Sequence, residues 1–299
     1  MSISASHDDQ PVDRTVVVIG RTGNGKSALA NAIAGRFDGD LFSESASPHS
    51  RTRGTPAHIV TLDHEGRTYR VRIVDTNGFG DTDMSEKDVL LALADLARTC
   101  DGGIHHVFFV TKHRFTAVEQ EAFKLMVNTI FNPDVLPFVT VVRTHAFTRE
   151  QDHSAKLRQF QEEMMVQLPS MASVRGFLMV NNPEVGEHQS LEGRQRTHRI
   201  FLDHILSGSP RSYSPPCFAA VRERVGPALA TKDSLAAELK RLREKQASAL
   251  PGSEEMRRLE TEAAGVNMEM DKIGDAIMIV MHEVLRVAVG ALIGKCTIL

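Results

Sequence analysis

Eight residues near the start of the chain limit its fold more than any others. Gly20-Arg21-Thr22-Gly23-Asn24-Gly25-Lys26-Ser27 has the spacing G-x-x-x-x-G-K-[ST] in full. The β-branched run before it, residues 15–19 (TVVVI), suits a buried parallel strand. The segment after it, residues 28–34 (ALANAIA), is a good helix former. A strand, a glycine-rich turn and a helix in that order make an anion cradle. Glycines let backbone N–H groups wrap phosphate oxygens, and the helix points its positive end at the same anion. The cradle comprises Arg21, Thr22, Gly23, Asn24, Gly25, Lys26, Ser27 and Ala28. Lys26 is placed to contact β- and γ-phosphates, and the Ser27 hydroxyl to ligate Mg²⁺.

Residues 58–62 (HIVTL) and 68–74 (TYRVRIV) flank the turn His64-Glu65-Gly66 and read as a hairpin. The second strand runs into Asp75-Thr76-Asn77-Gly78. Asp75 at a strand end beside the cradle can hold Mg²⁺ through water, and the Gly78 N–H can reach a γ-phosphate. The same residue types also make ordinary turns. Residues 42–55 (FSESASPHSRTRGT) are Ser/Thr-rich without apolar periodicity, hence a loop. A threonine there is a candidate to close over the metal and the γ-phosphate, Thr52 ahead of Thr55. The candidate catalytic set is Lys26, Thr52 and Gly78, and the candidate metal set is Ser27, Thr52 and Asp75.

Composition removes whole classes of function. With 35 Lys+Arg against 38 Asp+Glu the net charge is −3, so no large basic surface for nucleic acid is expected. No Trp and only two Tyr leave little for base-stacking platforms. Three widely spaced cysteines fit a reducing, cytoplasmic setting and neither a disulfide framework nor a zinc site. Cys100 and Cys217 read as packing thiols. His105 and His106 are neighbours on a strand and face opposite ways, which suits packing or surface roles better than metal ligation. Residues 1–13 are polar, lack an apolar stretch and read as a disordered terminus, not a secretory signal.

Beyond residue 206 the character changes. Residues 207–216 (SGSPRSYSPP) form a Ser/Pro-rich linker. Residues 228–250 carry a charged helical pattern with Leu235, Leu239 and Leu242 on one face, broken by Pro251-Gly252-Ser253. A second seam follows: Met256, Leu259, Ala263, Val266, Met270, Ile273, Ile277, Val280, Val284, Val287 and Ala291 alternate steps of three and four. A helical hairpin is expected first, and self-association through the last helix second. Residues 276–293 are the most apolar stretch, but His282, Glu283 and Arg286 argue against a simple membrane span. Cys296-Thr297-Ile298-Leu299 matches the C-a-a-X pattern with Leu at X, which makes Cys296 a candidate for prenylation. One lipid holds a protein only reversibly, so the apolar helix would have to add a second hold on the cytosolic face of a membrane.

The motifs, taken in order, resemble the avirulence-induced-gene (AIG)-type GTPases, also called immunity-associated GTPases. The cradle and the following Ala-Leu-Ala-Asn-Ala-Ile-Ala-Gly match that family's phosphate loop and first helix. Phe42-Ser43 and Ser50-Arg51-Thr52-Arg53 are similar to its switch region, which places the switch threonine at Thr52. Asp75-Thr76-Asn77-Gly78-Phe79-Gly80-Asp81-Thr82 resembles its third motif, and residues 106–131, with Arg114-Phe115-Thr116 and Glu119-Gln120-Glu121, its distinctive box. Thr144-His145 match part of its fourth motif, and Asn181-Asn182 its base-side pair. The resemblance implies an α/β P-loop NTPase G domain over residues 14–206, with a mainly parallel sheet and helices on both faces; the apolar periodicity beyond it adds a helical extension over residues 217–299. It also implies GTP/GDP and Mg²⁺ as ligands and Thr144, His145, Asn181 and Asn182 at the base; self-association through the G domain or the last helix is a further expectation, from the loop arginines and the apolar seam.

Two departures bear on function. The family's fourth motif carries a lysine and an aspartate that reads guanine, and Arg143-Thr144-His145-Ala146-Phe147-Thr148 has neither. Discrimination by buried polar pairing is weaker without that carboxylate, which keeps an ATPase or small-molecule kinase as an alternative. No glutamine follows Gly78 to position water; Phe79, Gly80 and Asp81 stand there. Slow hydrolysis, stimulation by assembly, or nucleotide binding without useful turnover are the expectations. Arg21, Arg51 and Arg53 are candidate charge donors across a dimer, although solvated loop arginines are the commoner case.

Overall fold

The computed structural model describes residues 10–44, 55–76, 85–112, 114–146, 150–187, 190–206 and 211–296, without the side chains of 150–151 and 287–296. It groups into two compact units, Met1–Met84 with Thr99–Pro215, and Ser85–Arg98 with Pro216–Leu299.

The first unit is built on a six-stranded sheet: β1 (Val12–Gly20), β2 (Ala57–His64), β3 (Arg67–Asp75), β4 (His106–Lys112), β5 (Val139–Thr144) and β6 (Gly176–Met179). Their order is β2-β3-β1-β4-β5-β6. Every neighbouring pair is parallel except β2 with β3, which form the expected hairpin with His64 opposite Arg67. Glu65 (φ 49°) and Gly66 (φ 76°) turn it in the left-handed region that two-residue hairpin loops require. Strands β1, β2 and β3 run a residue or more beyond the runs read from the sequence, because ladder hydrogen bonds also recruit flanking polar residues.

Helices α1 (Lys26–Ile33) and α5 (Ser190–Leu206) cover one face. There Val16, Val18, Ile73, Phe108 and Val142 pack with Leu29, Ile33, Phe201 and Ile205. Alternation sends Val17, Ile19, Phe109 and Val141 to the other face, all of them buried. On that side are α3 (Ala117–Leu125) and α4 (Glu150–Gln167). The ring of Phe123 meets Phe109 edge-on with centroids 5.1 Å apart, and Phe160 meets Phe177 at 5.6 Å. Residues 211–213 belong to this unit: Tyr213 bridges to Ile104, and its hydroxyl donates to Asn132 Oδ1 at 2.9 Å.

The second unit is helical. It contains α6 (Phe218–Ser248), α7 (Glu254–Cys296) and all but the last residue of α2 (Glu86–Thr99). Helices α6 and α7 form a hairpin around Leu239, Leu242, Leu259, Ala263 and Met270. The helix does not begin at residue 228: it runs back through Gly226 and Pro227 to Phe218, because buried Phe218, Val221, Val225 and Leu229 make one continuous face across the proline. The α7 seam also departs from a strict heptad. Beyond Met270 the buried positions are Gly274, Ile277, Met281 and Val284, while Ile273 and Val280 are only half-buried. At Gly274, an added Cβ would lie 3.0 Å from Lys87 Cε of α2, so the stripe turns to meet α2 as well as α6. Lys87–Asp275 at 2.6 Å and Arg98–Asp233 at 2.5 Å pin α2 to both. Among the described residues no helix is long and apolar enough to cross a membrane.

Candidate nucleotide site

The carboxyl end of the sheet gathers the candidate residues. The cradle leaves β1 at Gly20, where φ is 152° and an added Cβ would lie 2.4 Å from the Val110 carbonyl oxygen of β4. No other residue fits so close to a neighbouring strand. Gly25, at φ 81°, caps the start of α1 in the left-handed region. Thr22 and Gly23 are exposed at the outer turn, Asn24 and Lys26 are buried, and Arg21, Ser27 and Ala28 are half-buried. The Lys26 ammonium donates to the Arg21 carbonyl at 3.0 Å, which keeps it inside the loop.

Ser27 and Asp75 meet as the motif spacing requires. Ser27 Oγ donates to Asp75 Oδ2 at 2.6 Å. Burial pushes the Asp75 carboxyl above its ordinary range, against the Ser27 hydrogen bond and the nearby Lys26 charge, which pull it down. Its other oxygen, Oδ1, is buried and has no hydrogen-bond partner among the described residues. An orphaned carboxylate oxygen beside a hydroxyl is a hard-oxygen donor pair of the kind Mg²⁺ takes, so these residues fit the metal. Thr52, its neighbours Arg51 and Arg53, and Gly78 lie outside the described residues. Thr55 is described only as half-buried, with its hydroxyl buried and unpartnered.

The base side is brought to the same edge. Thr144 Oγ1, at the end of β5, donates to the Asn24 carbonyl of the phosphate loop at 2.8 Å. His145 follows with φ 53°, its Nδ1 3.0 Å from Thr144 Oγ1. The ring lies over the loop: a Cβ on Gly25 would be 3.5 Å from His145 Cε1. The Ala146 N–H then donates to the Val180 carbonyl at 3.1 Å, joining this turn to Asn181 and Asn182. Both amide atoms of Asn182 are buried without a partner among the described residues. An amide in that condition wants both a donor and an acceptor, and a purine edge offers both.

Two supports join residues that no single motif relates. Asn24 Nδ2 donates to the Val110 carbonyl at 2.9 Å and to Glu119 Oε1 at 3.2 Å. Glu119 also closes a capping box with Thr116 at the start of α3. The segment resembling the family's box thus reaches into the phosphate loop through one carboxylate. A second support is the buried Arg194 with Glu44 and Asn31. An arginine, a glutamate and an asparagine scattered along the chain form no motif; the only hint is a polar Asn31 amid the alanines of α1. For Cys296, α7 extends to it, but its side chain and residues 297–299 lie outside the described residues. Cys100 and Cys217 are buried and in no disulfide, and no cluster of His, Cys, Asp and Glu suited to a metal exists among the described residues.

The chain is 30% identical over 131 residues to Immune-associated nucleotide-binding protein 7 of Arabidopsis thaliana, covering 43% of this chain and 40% of that protein. It is 22% identical over 216 residues to Immune-associated nucleotide-binding protein 9 of the same plant, covering 70% and 60%. The matched part therefore spans 40% to 60% of these relatives' own length. Among solved structures, Toc33 from Arabidopsis thaliana in complex with GDP and Mg²⁺ aligns with a TM-score of 0.42 at 16% identity, covering 65% of this chain and 86% of that one. The AIG1 family matches residues 14–198, more than half of the sequence, and the chain belongs to that family.

Proposed function

We propose that this protein binds a guanine nucleotide as its Mg²⁺ complex, hydrolyses the triphosphate slowly or on assembly, and works as a nucleotide-dependent switch or scaffold. The observation that carries the reading is the Ser27–Asp75 pair at 2.6 Å, set beside a phosphate loop whose backbone already has the wrapped form. Membership in a family with relatives called nucleotide-binding proteins supports it. In this reading the loop N–H groups and Lys26 hold the β- and γ-phosphates. Asp75 and Ser27 would hold Mg²⁺, which when bound would offset the negative charge of the phosphates. His145 lies against one face of the base and Asn182 pairs with its edge. Thr52 and Gly78 are proposed to meet the γ-phosphate.

Titration calorimetry of the Mg²⁺-supplied protein tests this. Heat is expected with GTP and GDP, with ATP weaker. Lys26→Ala should weaken binding about ten- to a hundredfold, the value of one or two charge-assisted hydrogen bonds. No heat with either purine triphosphate, or a Lys26→Ala variant like the parent, overturns the reading.

A second reading keeps the binding and drops useful hydrolysis. It is favoured by Phe79, Gly80 and Asp81 standing where a water-positioning glutamine is needed. Single-turnover phosphate release separates the two. If assembly supplies the missing group, the rate per molecule should rise with protein concentration; a concentration-independent rate removes dimer activation.

A further inference from the structure

We propose that Arg194 is the positioning residue for the base end of this site, fixing the Asn181-Asn182 loop and registering it against the helix that carries the phosphate loop. The inference rests on the nucleotide reading above and adds the residue that sets the span between its two ends.

The Arg194 side chain is fully buried. A buried guanidinium is costly unless it is hydrogen-bonded, and here each of its three nitrogens has an acceptor. Nε donates to the Pro183 carbonyl at 3.0 Å. The two terminal nitrogens donate to the two oxygens of Glu44, each at 2.6 Å, in a bidentate fork. Pro183 directly follows Asn182, so the arginine grips the backbone that aims the unpartnered Asn182 amide. The same helix tightens that grip twice more. Thr197 Oγ1 donates to the Asn181 carbonyl at 3.5 Å. At Gly193 an added Cβ would lie 3.0 Å from Pro183 Cδ and 3.3 Å from the Asn181 oxygen.

The other end of the fork leads to the phosphates. Glu44 Oε1 also accepts from Asn31 Nδ2 at 2.7 Å. Asn31 is itself fixed, donating to the Phe42 carbonyl and accepting from the Phe42 N–H, both at 2.8 Å. Asn31 lies on α1, whose first residue is Lys26. One chain of hydrogen bonds, buried at both ends and half-buried at Glu44, therefore runs from the base loop through Arg194, Glu44 and Asn31 to the phosphate-loop helix. A nucleotide has a fixed distance between base and phosphates, so a network that fixes the receiving groups improves its fit without touching it. Mere filling of the core would not need this chemistry, since apolar residues of similar volume stabilise as well or better than a buried ion pair.

The test uses the full chain and displacement of a fluorescent GDP. Unlabelled GDP reports both ends of the site, and Mg²⁺-tripolyphosphate reports the phosphate end alone. Arg194→Lys keeps the charge and loses the fork; Arg194→Met keeps the bulk and loses both. Each should weaken GDP about tenfold while leaving tripolyphosphate within about twofold. Should both arginine variants fail to give a cooperative melt, Glu44→Gln carries the same test with a smaller change. Equal losses for both ligands would make Arg194 a general structural residue and overturn the proposal, as would no loss for either. Tripolyphosphate that displaces nothing at millimolar concentration from the parent also counts against it, because the phosphate end then has no separate hold. A parent that binds no GDP overturns the nucleotide reading itself; a parent that binds while the variants match it overturns this inference alone.

Discussion

At Asp75 the needs of function and of stability oppose each other. The carboxyl is buried, and its desolvation is only partly met by Ser27 and Lys26. Asp75→Asn removes the charge and keeps the shape. It should therefore abolish the tightening of nucleotide binding by Mg²⁺, read as equal GDP affinity with metal and with chelator. The same change should leave the melting temperature unchanged or raise it, since no charge remains to desolvate. A drop in melting temperature with metal dependence intact would contradict both halves. This residue was legible in the sequence because phosphate and Mg²⁺ chemistry dictates its type and its place after a strand. Arg194 and Glu44 were not, since partners 150 positions apart obey no spacing rule. Asn24 was legible as part of the loop, but its bond to Glu119 needed the fold to bring together residues 95 apart.

Helix α6 shows what happens when an element's packing overrides its propensity. Pro227 sits inside it, although proline in a helix interior costs about 3 kcal/mol relative to alanine. Pro227→Ala should thus stabilise the helical unit. Part of the gain is returned because alanine frees the unfolded chain, worth about 0.4 to 1 kcal/mol. A net rise of about 2 kcal/mol in a denaturant titration is expected, and a fall would mean the proline itself is needed for the buried face from Phe218 to Leu229. The hairpin of α6 and α7 could be foreseen from apolar periodicity, which reports that a face is covered. It could not report by what, so a strict heptad was the natural expectation. The drift to Gly274 and Met281 follows from α2, a partner drawn from far upstream in the chain.

For the molecule as a whole, one buried histidine, His106, and two half-buried ones, His105 and His204, set an acid limit. Burial, helped by Arg14, holds His105 down to about 4; burial, Arg175 and His204 hold His106 down to about 3; burial and Arg175 hold His204 down to about 4. Asp13 opposes this weakly at His105, and the Ile205 carbonyl at His106. All three are neutral in the folded protein where the unfolded chain, with a pKa of 6.5, already takes up protons. The unfolded state binds more protons, so stability falls as pH drops below about 6.5 and levels off near 3 to 4. His106 alone is worth on the order of 3 kcal/mol by pH 4.5. Thermal melts across that range should show the decline, and His106→Gln should flatten it; a parent with a level profile from pH 7 to pH 4.5 would refute the assignment.

The family match ends at residue 198, yet α2, which it includes, is tied by Lys87 and Arg98 to Asp275 and Asp233 beyond it. The backbone enters the helical unit, leaves it and returns, so its two parts are sewn together by a detour in the thread. Trimming the gene to the recognisable G-domain portion would strand one helix without its companions. A fragment ending at Pro215 should bind hydrophobic dye and precipitate where the entire polypeptide stays clear.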